Sequence, residues 1–271
     1  DADGVRAGQA TIDAAPAKHR DTRALKDHAA CAAVIPAIES SKLFANANAG
    51  NATNAANAAN AAGCVVVGDD FTADARVFTT RVAEAAAKEF GAELRFNTRV
   101  TKLTPVNGGV DVTLGADEET LHADHVVVCG GPWTSQLLRA SASVKADVPI
   151  MPVRGCSVEL EGVRNGPNMG VADQTSGGMH FQATPLGGDV VRLVGFADAV
   201  AAAPPVSEAD RVACPPHYRD ALLARAHEVF PRLTYDGVRE PWCGLRPMSP
   251  DRLPFVGRVA PGVWVNAGHG A

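Results

Sequence analysis

A chain of 271 residues with 46% hydrophobic side chains has enough apolar surface for one larger or two smaller cores, which excludes a disordered protein. Its 25 basic residues are outnumbered by 30 acidic ones, for a formal charge of −5, and they are scattered rather than clustered. That pattern argues against a nucleic-acid or anionic-membrane footprint and for small-molecule chemistry. No run approaches the ~18 consecutive apolar residues of a membrane span, and the sequence assigns no compartment.

Residues 1–30 are polar and alanine-rich, with a helix expected over 21–33 that ends before Pro36. Residues 45–62 alternate Asn and Ala almost without charge or bulk. Such a tract cannot bury enough apolar surface to offset the entropy of ordering, so an inserted loop or disorder is expected. From Cys64 onward the pattern is that of an α/β protein. Phe78, Val82, Ala86 and Phe90 share one helical face, Gly91 supplies the stop, and this helix is expected to pack on a sheet. Strands are expected over 93–96, 110–114 and 126–129. The last contains Val126-Val127-Val128, an unbroken apolar run of the kind covered on both faces. It delivers Gly130-Gly131-Pro132-Trp133 to its carboxyl end, where ligands of open α/β sheets bind, and a helix over 133–139 follows.

From residue 149 the periodicity changes. Alternation over 149–160, 180–184 and 190–196, with a Leu186-Gly187-Gly188-Asp189 turn between the last two, predicts an antiparallel sheet. Helices are expected over 207–211 and 216–230, the second with Leu222, Ala226 and Val229 on one face. His122 and His125 have the spacing of a metal pair, but nothing nearby completes a ligand set, and they are read as an exposed strand entry. The six cysteines are separated by long intervals without a C-x-x-C pair. No metal and no disulfide framework is expected, and isolated cysteines such as Cys129 are read as small core hydrophobes. No G-x-S-x-G elbow supports a hydrolase.

The most informative tract is Trp242-Cys243-Gly244-Leu245-Arg246-Pro247-Met248-Ser249-Pro250-Asp251-Arg252-Leu253-Pro254-Phe255-Val256-Gly257, followed by Gly268-His269-Gly270. An arginine between a Gly-Leu pair and a proline is expected on an interrupted strand or tight turn. There its planar fork can grip a carboxylate through two parallel charge-assisted hydrogen bonds. The glycines let backbone N–H groups approach a flat ligand. Upstream stand Gly68-Asp69-Asp70, Thr98-Arg99-Val100, the tract Val126 to Trp133 and Pro152-Val153-Arg154-Gly155. In order and spacing these segments resemble the FAD-dependent amino-acid oxidase and dehydrogenase superfamily, most closely its D-amino acid dehydrogenase small-subunit branch, with glycine oxidase more distant. The resemblance runs from about Cys31 to the last residue.

The resemblance implies a mixed α/β (α+β) fold, an incomplete FAD/NAD(P)-binding domain with an antiparallel-sheet substrate domain. It divides the chain into an N-terminal segment 1–63 carrying the Asn/Ala insertion, part of the FAD-binding domain at 64–148, the substrate domain at 149–235 and a return to the FAD-binding domain at 236–271. It implies FAD as cofactor, beside Val100, Gly130, Gly131, Trp133, Gly257, Gly268, His269 and Gly270. Arg246 would hold the carboxylate of an amino acid substrate, with His180 as a further active-site candidate. The implied reaction passes a hydride from the substrate α-carbon to flavin N5, and the imino acid is hydrolysed to a 2-oxo acid and ammonia. The electron acceptor is left open.

Two alternatives stand beside this: a glycine- or sarcosine-type amine oxidase, and a non-catalytic truncated homologue unable to bind FAD. The second arises because the family's G-x-G-x-x-G phosphate turn is absent and the chain opens on Asp1. On that view the chain is a fragment, and loss of the first βαβ unit is expected to expose one edge and one face of the sheet. Two positions depart from the family pattern: Cys156, where an aromatic residue is usual, and Arg252, where glycine is frequent.

Overall fold

The computed structural model describes residues 22–25, 27–41, 64–67, 72–115, 119–173, 179–201 and 214–270. The Asn/Ala tract, Gly68-Asp69-Asp70 and the helix expected over 207–211 lie outside them. The described residues fall into two compact units. One is drawn from Asp1–Phe78, Cys156–Ala197 and Ala213–Cys243, the other from Thr79–Gly155, Asp198–Val212 and Gly244–Ala271.

In chain order the first elements are β1 (Thr22–Leu25), α1 (His28–Val34), β2 (Cys64–Val67), α2 (Ala75–Phe90), β3 (Val100–Val106), β4 (Gly109–Leu114), β5 (Glu119–Ala123), β6 (Val126–Val128) and α3 (Thr134–Ala140). Then come β7 (Met151–Glu161), β8 (Val171–Ala172), β9 (Gln182–Gly187), β10 (Val190–Ala199), α4 (Pro216–Val229), β11 (Gly237–Val238), β12 (Trp242–Met248), β13 (Phe255–Ala260) and β14 (Val263–Ala267). The mixed α/β fold expected from the sequence is what forms.

In the first unit the helix expected over 21–33 is divided. Thr22–Leu25 pairs antiparallel with Cys64–Val67, and α1 starts only where the Asp27 carboxylate accepts the Ala30 N–H at 2.8 Å, a side-chain cap that satisfies an otherwise orphan donor. The large sheet has the order β11-β7-β10-β9-β8, with β12 also on β7. Against it α4 buries Tyr218, Leu222, Ala226 and Val229, the face read from the sequence, among Leu160, Phe181 and Leu193. Each fully buried valine, leucine or phenylalanine among them contributes about 1.5–3 kcal/mol. A charged group runs along this unit: Glu159 lies 2.7 Å from both Arg192 and Arg239, and Asp74 lies 3.5 Å from Arg192.

The second unit holds a β3-β4-β5 sheet and a β13-β14-β6 sheet. Alternation in β4 turns Val110, Val112 and Leu114 inward, and in β14 it turns Val263, Val265 and Ala267 inward. They share one core with Val128 and Leu138. His122 lies in β5 and meets Asp111 at 2.9 Å as a surface pair, in keeping with an exposed strand entry.

Several expectations are corrected. Among the described residues no sheet covers the apolar stripe of α2: the helix has no buried residue, and Phe78, Val82 and Phe90 are 62%, 51% and 83% exposed. A 3.6-residue stripe specifies a face and not the surface that covers it. Residues 93–96 are not a strand, since a ladder needs a neighbour to take its N–H and C=O groups and none of the described strands pairs there. Val127 is 58% exposed, so β6 is covered on one face only. Val127 pairs with Trp264, and both are exposed on one face with Val256. Cys129 continues the strand's alternation outward and is exposed, so it is no core hydrophobe. Arg246 lies within an unbroken β12 rather than at a break or turn.

Candidate active site

β14 runs parallel to β6, with Val263 opposite Val126 and Val265 opposite Val128. Parallel strands present their carboxyl ends along one edge, where ligands gather in open α/β sheets. That edge carries Gly130-Gly131 after β6 and Gly268-His269-Gly270 after β14. β13 runs antiparallel to β14, with Phe255 opposite Ala267 and Gly257 opposite Val265, which brings Gly257 near the same edge. Open space lies wherever a Cβ on Gly131 would stand. Close by, the Thr134 hydroxyl is fully buried without a hydrogen-bond partner among the described residues, 3.3 Å from where a Gly130 Cβ would be. A buried polar atom left unsatisfied beside an open cradle fits a ligand that supplies the missing partner.

Arg246 is half-buried on β12. Pro247 follows it within the same strand, which pairs with β7. The guanidinium lies over Gly155 of β7: a Cβ there would stand 2.9 Å from Cζ and Nη1. Any side chain at residue 155 would displace the fork. The downstream end of β12 is joined to the glycine turn. The Gly270 N–H donates to the Pro247 carbonyl at 3.0 Å, and Met248 bridges His269. A Cβ on Gly270 would stand 2.6 Å from that same carbonyl oxygen, so the close approach requires glycine. Arg154, next to Gly155, donates to Asp198 at 3.2 Å.

The other expected site residues are dispersed. Trp133 is half-buried and ends the 3-10 turn Gly131–Trp133, and His269 is exposed. Val100 opens β3 opposite Leu114, half-buried against the core. His180 belongs to the first unit, exposed ahead of β9 with φ 51°. A cavity of about 300 Å³ in the second unit borders Pro132, Arg139, Pro149, Met151 and Pro250, and neither Arg246 nor the glycine turns line it. Sequence reasoning assigned no role to Gly155 or Thr134. The signal for Gly155 is a glycine inside an alternating strand, which marks close approach by another group. Thr134 carries no signal, because a threonine at a helix start reads as a routine cap.

The family described as "DAO: FAD dependent oxidoreductase" matches residues 12–271. Among solved structures, the chain is similar to glycine oxidase from Bacillus cereus ATCC 14579, at 20% identity and TM-score 0.71, over 99% of this chain and 65% of that one. It is similar to glycine oxidase from Geobacillus kaustophilus at 22% identity and TM-score 0.64, over 92% and 57%. It is also similar to L-proline dehydrogenase from P. horikoshii at 21% identity and TM-score 0.56, over 71% and 50%. The chain therefore spans half to two thirds of the length of these proteins, and the likeness is one of fold.

Proposed function

Because the chain belongs to the DAO family of FAD-dependent oxidoreductases, we propose that it oxidises the C–N bond of a D-amino acid whose carboxylate is held by Arg246. The observation that supports this reading is the seat of Arg246. A fork-shaped cation lies over the bare backbone of Gly155 and is joined through Pro247 and Met248 to the glycine turn at the carboxyl edge of β6 and β14.

The residues present fit the flavin-bearing end of FAD. Gly131 leaves the cradle open and Thr134 offers a buried hydroxyl beside it. No G-x-G-x-x-G turn for the pyrophosphate occurs in the 271 residues. When bound, the flavin supplies the two-electron acceptor that amino acid side chains lack. Arg246 pairs both carboxylate oxygens and thereby fixes the direction of the Cα–H bond. The substrate gives up a hydride from Cα and a proton from nitrogen, and water converts the imino acid to a 2-oxo acid and ammonia. A substrate that binds with its amine neutral needs no side-chain base.

The test is KM and kcat of the flavin-loaded protein with Arg246 intact, Arg246→Lys and Arg246→Met, using an artificial electron acceptor and a panel of D-amino acids, L-amino acids, glycine and sarcosine. Loss of the bidentate pair is expected to raise KM about 10–100-fold. An unchanged KM removes Arg246 from this role, and turnover of glycine or sarcosine in preference to D-amino acids moves the reading to amine oxidation.

A further inference from the structure

Three cysteines far apart in the chain meet in the first unit. Cys156 is on β7 and 1% exposed, Cys214 lies just ahead of α4, and Cys243 is near the start of β12. Their Sγ atoms all lie within 4.8 Å of one another, and those of Cys156 and Cys214 are 3.3 Å apart. Among the described residues no histidine or carboxylate joins the group. We propose that these thiols form a binding site for one soft d10 metal ion, Cu(I), in trigonal thiolate coordination.

The geometry is close to what such an ion requires. Metal–sulfur bonds of about 2.3 Å place three trigonal sulfurs about 4.0 Å apart, so the thiols reach that arrangement through sub-ångström shifts. Three separate elements hold them, and Cys156 belongs to the hydrophobic core with Cys214 and Cys243 packed against it. The site is therefore organised by the fold and not by a loop motif. A core that needs only apolar filling has no need of three converging sulfurs, and one small hydrophobe in each place would serve.

The donor set also discriminates. Sulfur-only ligands select thiophilic ions. A closed Zn(II) site takes four ligands, and among the described residues no fourth is supplied, whereas Cu(I) is satisfied by three. Cys214 and Cys243 are only half-buried, which leaves an entry path. On binding, three S–H bonds break, three Cu–S bonds form and three protons pass to solvent, without a change of oxidation state.

Reduced chain is titrated anaerobically with Cu(I) against a colorimetric Cu(I) chelator, with Zn(II) titrated separately, for the unaltered protein and for Cys214→Ser, Cys243→Ser and Cys129→Ser. One Cu(I) per chain is expected, retained by Cys129→Ser. Each of the other two variants should lose affinity by more than the ~100-fold that follows loss of an outer-sphere partner. X-ray absorption on the unaltered protein, which depends on no variant, should count three sulfur neighbours. No uptake, uptake indifferent to Cys214 and Cys243, a different sulfur count, tighter Zn(II) than Cu(I), or a Cys156–Cys214 disulfide that forms in place of metal uptake would each overturn the site. These readouts require no turnover and are independent of the proposed oxidation.

Discussion

Gly155 and Arg246 face one another across β7 and β12, with the place of a Gly155 Cβ only 2.9 Å from the Arg246 Cζ. A methyl group cannot occupy that space. The atoms it would meet are the end of a flexible side chain, so Gly155→Ala should move the guanidinium aside rather than break the sheet. We expect KM for the amino acid substrate to rise about 10-fold, equivalent to about 1.4 kcal/mol, while far-ultraviolet circular dichroism stays that of the parent. Parent-like KM in Gly155→Ala would show that the fork has no need of the bare backbone.

Gly270 makes a contrasting contact. The atoms within reach of its Cβ are backbone, the Pro247 carbonyl oxygen and carbon at 2.6 and 2.7 Å, and backbone in a paired turn cannot swing away. Gly270→Ala is therefore expected to cost about 1–3 kcal/mol of stability and to weaken flavin retention. Urea unfolding and the visible spectrum after desalting measure the two effects. A variant that keeps both its urea midpoint and its flavin would separate the turn from the site.

Arg252 adopts φ 65°, a left-handed conformation that costs a non-glycine residue roughly 1–2 kcal/mol. Glycine is frequent at this position in the family that the sequence resembles, and a positive φ is the conformation that glycine adopts without strain. Arg252→Gly should release the strain at some expense of unfolded-chain entropy, for a net gain of about 0.5–1 kcal/mol. Calorimetry that finds the variant less stable than the parent would mean that the arginine side chain compensates for its own backbone.

What the sequence made legible is local. The Gly-Leu-Arg-Pro and Gly-His-Gly segments are recognisable because their residue types are dictated by backbone approach, and Gly270 against Pro247 shows that constraint directly. The inward faces of α4 and β4 follow from periods of 3.6 and 2, and both are found. Long-range pairing is not legible in this way. The stripe on α2 and the run Val126-Val127-Val128 state that a surface is apolar, while cover depends on what else packs there, and Phe90 and Val127 stay open. Cys156, Cys214 and Cys243 look isolated because intervals along the chain carry no information on the register of β7 against β12. A glycine inside an alternating strand marks close approach at Gly155, but that Arg246 is the group approaching is seen only in the structure.

Glu159 connects this framework to pH. Its side chain is 13% exposed between Arg192 and Arg239. Burial alone would raise its pKa, but hydrogen bonds and charge from the two guanidinium groups outweigh burial and hold it below the ordinary value near 4.5. At Asp74 burial is likewise outweighed, by the Val77 and Arg76 N–H groups and by Arg192. A native pKa below the unfolded one means that the unfolded chain binds the proton more tightly. The stabilisation is then fully present above the ordinary carboxylate value and is lost as pH falls through the lower native values. The urea midpoint should accordingly be level from about pH 7 to 5 and decline below about 4.5. Glu159→Gln should start lower at neutral pH, because Arg192, itself only 15% exposed, loses the nearer of its two carboxylate partners and keeps only Asp74 at 3.5 Å, and should then decline less steeply in acid. Parent and variant curves that run parallel through the acid range would locate the pH dependence in other carboxylates.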